Sequence, residues 1–137
     1  MSIDAAQFGG GYSPGLRRAS LDIDPSVDWL ASEHYMVKRA GITIDYTTVT
    51  ANSDGRRIIK GGTLIGKITA SGKYGPYSDA ASDGRQVAVG LLFPGDINVQ
   101  FGDTIAGLLI HGSVLEARCT GVDANGKTDL AGKVIFQ

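Results

Sequence analysis

Apolar and polar positions divide the chain into a featureless start and a long run of short, strand-like pieces. Residues 1 to about 24 contain Gly9-Gly10-Gly11, Pro14, Gly15 and Arg17-Arg18, with too few apolar residues at any regular spacing to bury a face. They read as a flexible N-terminal arm. Asp24-Pro25 then offers an N-cap and a first-turn proline, and Val27, Leu30, Ala31 and His34 follow at i, i+3, i+4 and i+7, so residues 25–37 read as a short helix and 25–40 as helix plus linker. From Ile42 the texture changes. Ile42 to Thr50 is β-branched and alternating, and Asn52-Ser53-Asp54-Gly55 supplies a turn. Arg56–Lys60 and Thr63–Ala70 read as further strands, the second with an inner Gly66 that predicts a bulge or a close backbone approach. Ser71–Gly84 reads as a long surface loop. Gln86 to Phe93 is almost continuously apolar and is stopped by Pro94-Gly95, which marks a strand buried on both faces. Ile105–Ile110 and Val114–Cys119 read as two strands around His111-Gly112-Ser113, and Lys133–Phe136 as the last, after a loop at Asp123–Gly126. The pattern predicts a mainly β chain: a small bent-ribbon or barrel-like fold over residues 41–137, with an extended arm and one short helix.

Composition narrows what such a chain can do. Twenty glycines in 137 residues, without a period, suit many tight turns and disfavour long helices. A formal charge of -1 gives no long-range field for a polyphosphate, so nucleic acid is not an expected partner. No apolar run approaches the ~20 residues that span a bilayer, and Met1 to Phe8 lacks the pattern of a signal peptide, so the expected site of synthesis is the cytoplasm, with no membrane partner. Cys119, the one cysteine, has no internal disulfide partner.

Candidate chemistry is thin. Gly61 to Lys67 fits the first part of a phosphate-cradling loop, but Ile68 stands where a Ser or Thr must hold magnesium, and the run favours strand where the motif needs a helix. His34 and His111 stand 77 positions apart with no His or Cys at ligand spacing, and a structural zinc site needs about four ligands. Cys119 could pair with His111 across a hairpin as nucleophile and base, or be a small apolar filler. Asp79, Asp83, Asp96 and Asp103 sit beside turn-forming residues, as turn chemistry requires. No catalytic residue, metal, cofactor or small-molecule substrate is expected. Trp29, with Tyr35 and Met36 nearby, is costly to leave in water; it either packs on the chain's own body or meets a partner.

Between Gly62 and Val114 an ordered set of segments carries a resemblance: Gly62-Thr63-Leu64-Ile65-Gly66-Lys67-Ile68, Gly72-Lys73-Tyr74-Gly75-Pro76-Tyr77, Ala81-Ser82-Asp83-Gly84, Ala88-Val89-Gly90-Leu91-Leu92 and Ala106 to Val114. At those intervals they resemble the lambda-type bacteriophage head decoration proteins, and Leu130 to Phe136 is similar to their final strand. The resemblance covers roughly residues 40 to 137. It implies a fold of the β-tulip or β-clip kind and no enzyme activity. It also implies a homotrimer at local three-fold sites of the expanded capsid, on the outer surface of the virion, where the protein clamps neighbouring major capsid protein subunits. The family's arm orders on the capsid as added β-structure, which agrees with the alternation Leu21-Asp22-Ile23-Asp24, a stretch able to join an exposed sheet edge. The candidate capsid-binding residues are therefore Arg17, Arg18, Leu21, Ile23 and Trp29. The region before residue 40 is longer than the family's, which leaves the arm's path open. Two other readings compete: a different phage tail, fibre or carbohydrate-binding β-module, for which the Tyr74–Tyr77 loop is the candidate aromatic platform, and a small β-barrel hydrolase.

Overall fold

The computed structural model describes residues 27–38 and 40–137. Nine strands occupy them: β1 (Met36–Val37), β2 (Ile42–Ile44), β3 (Ile58–Ile59), β4 (Leu64–Lys67), β5 (Tyr74–Pro76), β6 (Ala88–Phe93), β7 (Ile97–Asn98), β8 (Thr104–Val114) and β9 (Val134–Phe136). One short helix, α1 (Ala124–Asp129), and two single 3-10 turns, Tyr46–Thr48 and Glu116–Arg118, complete the set.

β8 organises the molecule because both of its edges are used along most of its length. It pairs antiparallel with β2 through Thr104–Ala106 and with β6 through Gly107–Leu109 on the opposite edge. β2 continues to β5, β5 to β4 and β4 to β6, so five strands close on themselves into a small barrel. β9 lies parallel to the far end of β8, and β3 with β7 forms a separate two-stranded ribbon. Closure removes the edges that an open sheet would leave exposed.

The doublets Leu64-Ile65, Leu91-Leu92 and Leu108-Leu109 explain why the sheet is apolar on both sides. Successive strand residues face opposite ways, and each doublet sends one side chain to each of two separate clusters. Ile65, Leu92 and Leu108 join Ile42, Ile44 and Tyr74, with Val49, Ile59 and Val99 from flanking segments, to form the inner cluster. Leu64, Leu91 and Leu109 pack on the other side under Trp29, Tyr77, Val114, Leu130 and Val134 in the outer cluster. The expected two-faced burial of the 86–93 run holds from Ala88 onward, while Val87 is half exposed.

Gly66 does both things its position predicted. The β4–β6 register slips between Ile65 and Gly66, since Ile65 opposes Gly90 and Gly66 opposes Ala88, leaving Val89 as the extra residue of a bulge. A Cβ on Gly66 would stand 2.6 Å from Arg85 Cα, a backbone atom that cannot swing aside. Gly66→Ala is therefore expected to cost about 1–3 kcal/mol, the usual penalty of overpacking, visible as a lower thermal midpoint with the same unfolding cooperativity.

Several sequence expectations are corrected. From Val27 onward the 25–37 segment is not a helix: Leu30 bridges Val114, the Ala31 N–H donates to Ser113 O at 2.9 Å, β1 pairs with His111 and Leu109, and the Lys38 N–H donates to Leu108 O at 2.8 Å. An isolated helix of this length is marginal, and the extended strap instead satisfies the edge of β8 that β2 leaves open. The short helix of the fold is α1, in the segment read as a loop. Asp123 caps it by accepting the Gly126 N–H at 2.6 Å, and Asp129 accepts the Ala88 N–H at 3.0 Å, tying it to β6. The strand expected to reach Thr50 ends at Ile44, because the Asp45 carboxylate accepts the Thr47 N–H and hydroxyl and turns the chain. β8 runs through His111–Ser113 where a break was expected, since β1 and β9 pair on either side. The strand expected at Val114–Cys119 becomes a 3-10 turn, and β5 lies inside the segment read as a surface loop.

Candidate functional site

The residues that suggested chemistry are absorbed into structure. Gly61 to Lys67 forms a turn and β4, so no helix N-terminus follows to receive a phosphate. Cys119 is half-buried against the outer cluster, and burial followed by the charge of Glu116 pushes its thiol up to about 11, so it stays protonated near neutrality. Asp83 caps the Arg85 N–H and pairs with its guanidinium, Asp96 accepts the Gly61 N–H at 2.8 Å, and Asp103 accepts the Tyr46 N–H at 3.1 Å while pairing with Lys73. Hydrogen bonding to the Lys73 ammonium holds the Asp103 carboxyl below its ordinary range. Each carboxylate thus fastens a turn. Among the described residues no group of three or more His, Cys, Asp or Glu could hold a metal. His34 and His111 do meet, with ring centroids 6.3 Å apart at 80°, because the strap lays residue 34 beside the end of β8. Nothing in their spacing along the chain announced this.

The Tyr74–Tyr77 loop is not an aromatic platform. Both rings are buried, Tyr74 in the inner cluster and Tyr77 in the outer one. Burial first, and then its hydrogen bond to Asp123 at 3.0 Å, raises the Tyr77 phenol well above its usual range.

What remains for a partner is apolar surface, and among the described residues the exposed large apolar side chains other than Val87 fall at the two ends of β8. At the Val114 end, Leu30 bridges Val114 from one side, while the Gln137 N–H donates to Val114 O from the other at 2.9 Å. The chain thus enters the described fold and reaches its last residue beside the same position. Val27, Tyr35, Met36 and Ile135 are exposed around this end, and a groove of about 370 Å³ runs between Val27, Leu30, Ala31, Ser32, Glu33 and Tyr35. At the Thr104 end stand Phe101, 93% exposed, and Ile105, 75% exposed, with Tyr46 held near them through Asp103.

Of the five residues expected to bind a partner, Trp29 is 1% exposed. Its indole N–H donates to Pro94 O at 2.9 Å, its ring meets Phe93 edge-on with centroids 6.2 Å apart, and it presses on Gly62, where a Cβ would stand 2.9 Å from Trp29 Cγ. Trp29 is a core residue and offers no free surface. Arg17, Arg18, Leu21 and Ile23 lie outside the described residues. Sequence reasoning did not single out Phe101 or Ile105. The available signal was an aromatic residue in the polar turn Gln100-Phe101-Gly102-Asp103, where packing on the chain's own core is hardest.

Residues 28–127 match the family described as HDPD, bacteriophage lambda head decoration protein D. The match includes the Trp29 strap, which the sequence resemblance had placed outside the family's extent. Comparison with curated proteins and with solved structures returns no significant match.

Proposed function

The chain belongs to the bacteriophage lambda head decoration protein D family, and on that premise we propose that it binds as a trimer at local three-fold sites of the expanded capsid and clamps neighbouring major capsid protein subunits. The observation that carries this reading is the family match across 100 of the 137 residues. The family is one of structural components of the phage head and is not an enzyme family, which supports a non-catalytic role on the virion.

The proposed capsid contact is the Val114 end of β8 together with the N-terminal segment that joins it. Leu21 and Ile23 would fill pockets on one side of a strand added to the capsid subunit, main-chain hydrogen bonds would supply affinity, and Arg17 and Arg18 would pair with capsid carboxylates. Trp29 has a different part: sealed in the core, it fixes the point from which that segment departs. The energetic logic is linkage. A ligand that binds only the expanded lattice stabilises it by its own binding free energy, and three linked copies multiply weak single contacts through effective concentration.

The test is to mix the purified protein with expanded and unexpanded capsids of the phage that encodes it and count the bound copies. Saturation at three copies per local three-fold site, with at least tenfold weaker binding to unexpanded capsids, is the expected result. Equal binding to both forms, or to neither, would sink the reading.

A further inference from the structure

Phe101 is the most exposed large apolar side chain among the described residues. It sits in the turn closed by the Gly102 N–H donating to Val99 O at 3.2 Å, just before β8, and almost the whole ring faces solvent. Two positions beyond Asp103 stands Ile105, three-quarters exposed, and Tyr46 donates its N–H to Asp103 itself. Resting on the decoration reading above, we propose that Phe101 and Ile105, flanked by Tyr46, form the surface through which copies of this chain pack against one another about the three-fold axis on the capsid.

Area selects this occupant. The three side chains together offer on the order of 400 Å², about half of the roughly 800 Å² per partner that a specific, stable complex buries. A free partner held by this patch alone would not be retained. A second copy is different, because the capsid already holds it alongside at high effective concentration, and a small apolar contact then adds to binding without having to create it.

Charge agrees. Residues close to a three-fold axis meet their own copies, so a net charge there would repel itself. Here Lys73 is paired with Asp103, and the Arg57 guanidinium lies 5.4 Å from the Tyr46 ring centroid and donates to Tyr46 O and Val49 O, with Asp45 of opposite sign capping the same turn. The apolar tips stand in a balanced surround. Position agrees as well: the patch sits at the start of β8 and the proposed capsid contact surrounds its last residue, at opposite ends of an eleven-residue strand that spans up to about 35 Å, so the two can be engaged together.

The test is disulfide trapping on capsids. Protein carrying Phe101→Cys in a Cys119→Ala background is bound to expanded capsids at saturation, treated with a mild oxidant and separated under denaturing, non-reducing conditions. Three thiols about one axis leave one without a partner, so about two-thirds of the chains are expected in a linked pair, while exposed Ala80→Cys stays single. Phe101→Glu should leave the free protein's thermal midpoint unchanged and lower capsid affinity about tenfold or more, the loss of one buried aromatic contact. Normal capsid binding with no more linkage at 101 than at 80 would overturn this inference alone, as would a Phe101→Glu protein that binds like the parent. Failure of the parent protein to bind expanded capsids would overturn both it and the decoration reading.

Discussion

Leu91→Asp is expected to leave no folded protein at ambient temperature. Leu91 is fully buried on β6, opposite Leu64 on β4 and Leu109 on β8, and all three belong to the outer cluster capped by Trp29 and Leu130. Among the described residues no cationic side chain is buried. A carboxylate placed there must either stay ionised without a partner or take up a proton, and it also loses the packing of the isobutyl group. The combined cost is several kcal/mol, against a total stability of about 5–15 kcal/mol for a typical domain. Val87→Asp, one residue before the same strand, is the control: Val87 is half exposed, and a charge there should change the midpoint little. Circular dichroism melts of the two variants beside the parent decide the matter. A Leu91→Asp protein that melts within a few degrees of the parent would show the core to be wrongly assigned.

That contrast also marks how far the sequence could be read. The 86–93 run announced a strand covered on both sides because its apolar residues are contiguous, and the matching doublets at 64–65 and 108–109 carry the same message on the neighbouring strands. Gly66 was legible because a glycine inside a β-branched strand has few other reasons to be there. The strap at 27–37 was not legible. Its local signals, Asp24-Pro25 and the apolar spacing after it, favour a helix, and they lose to a demand that exists only once β8 is in place and one of its edges needs a partner. Non-local demands decided two other misreadings: His111–Ser113 looks like a turn until β1 and β9 flank it, and Asp123 looks like loop chemistry until Asp129 is needed at the Ala88 N–H. The candidate site shows the same division. Trp29 was correctly recognised as too costly to leave in water, but only the fold shows that the chain itself covers it, whereas the exposed Phe101 differs from the half-buried Phe93 in sequence only by sitting in a polar turn and not at the end of an apolar run.

Removing residues 2–24 is expected to separate binding from folding. Every described member of both buried clusters lies at Trp29 or later, and the strap that carries Trp29 is tied down by Leu30, Ala31 and β1. The truncation therefore takes nothing from the described core, and the thermal midpoint of the free protein should move by no more than a degree or two. Capsid affinity should behave otherwise. If Leu21 and Ile23 add as a strand to the capsid subunit, their deletion removes both the main-chain hydrogen bonds and the two pocket-filling side chains, and binding to expanded capsids should fall by at least an order of magnitude. A finer variant isolates the side chains: Leu21→Asp with Ile23→Asp keeps the length of the segment and its main-chain donors, yet opposes the pockets with charge, and should lose affinity nearly as severely. Measuring the midpoint and the bound copies on the same preparations makes the outcomes distinct. Undiminished capsid binding by the truncated protein would sink the strand-addition mechanism and leave the Val114 end of β8 as the contact by itself. A fall of many degrees in the midpoint would show that the N-terminal segment belongs to the fold, so that its loss from the capsid reports unfolding and not a missing contact.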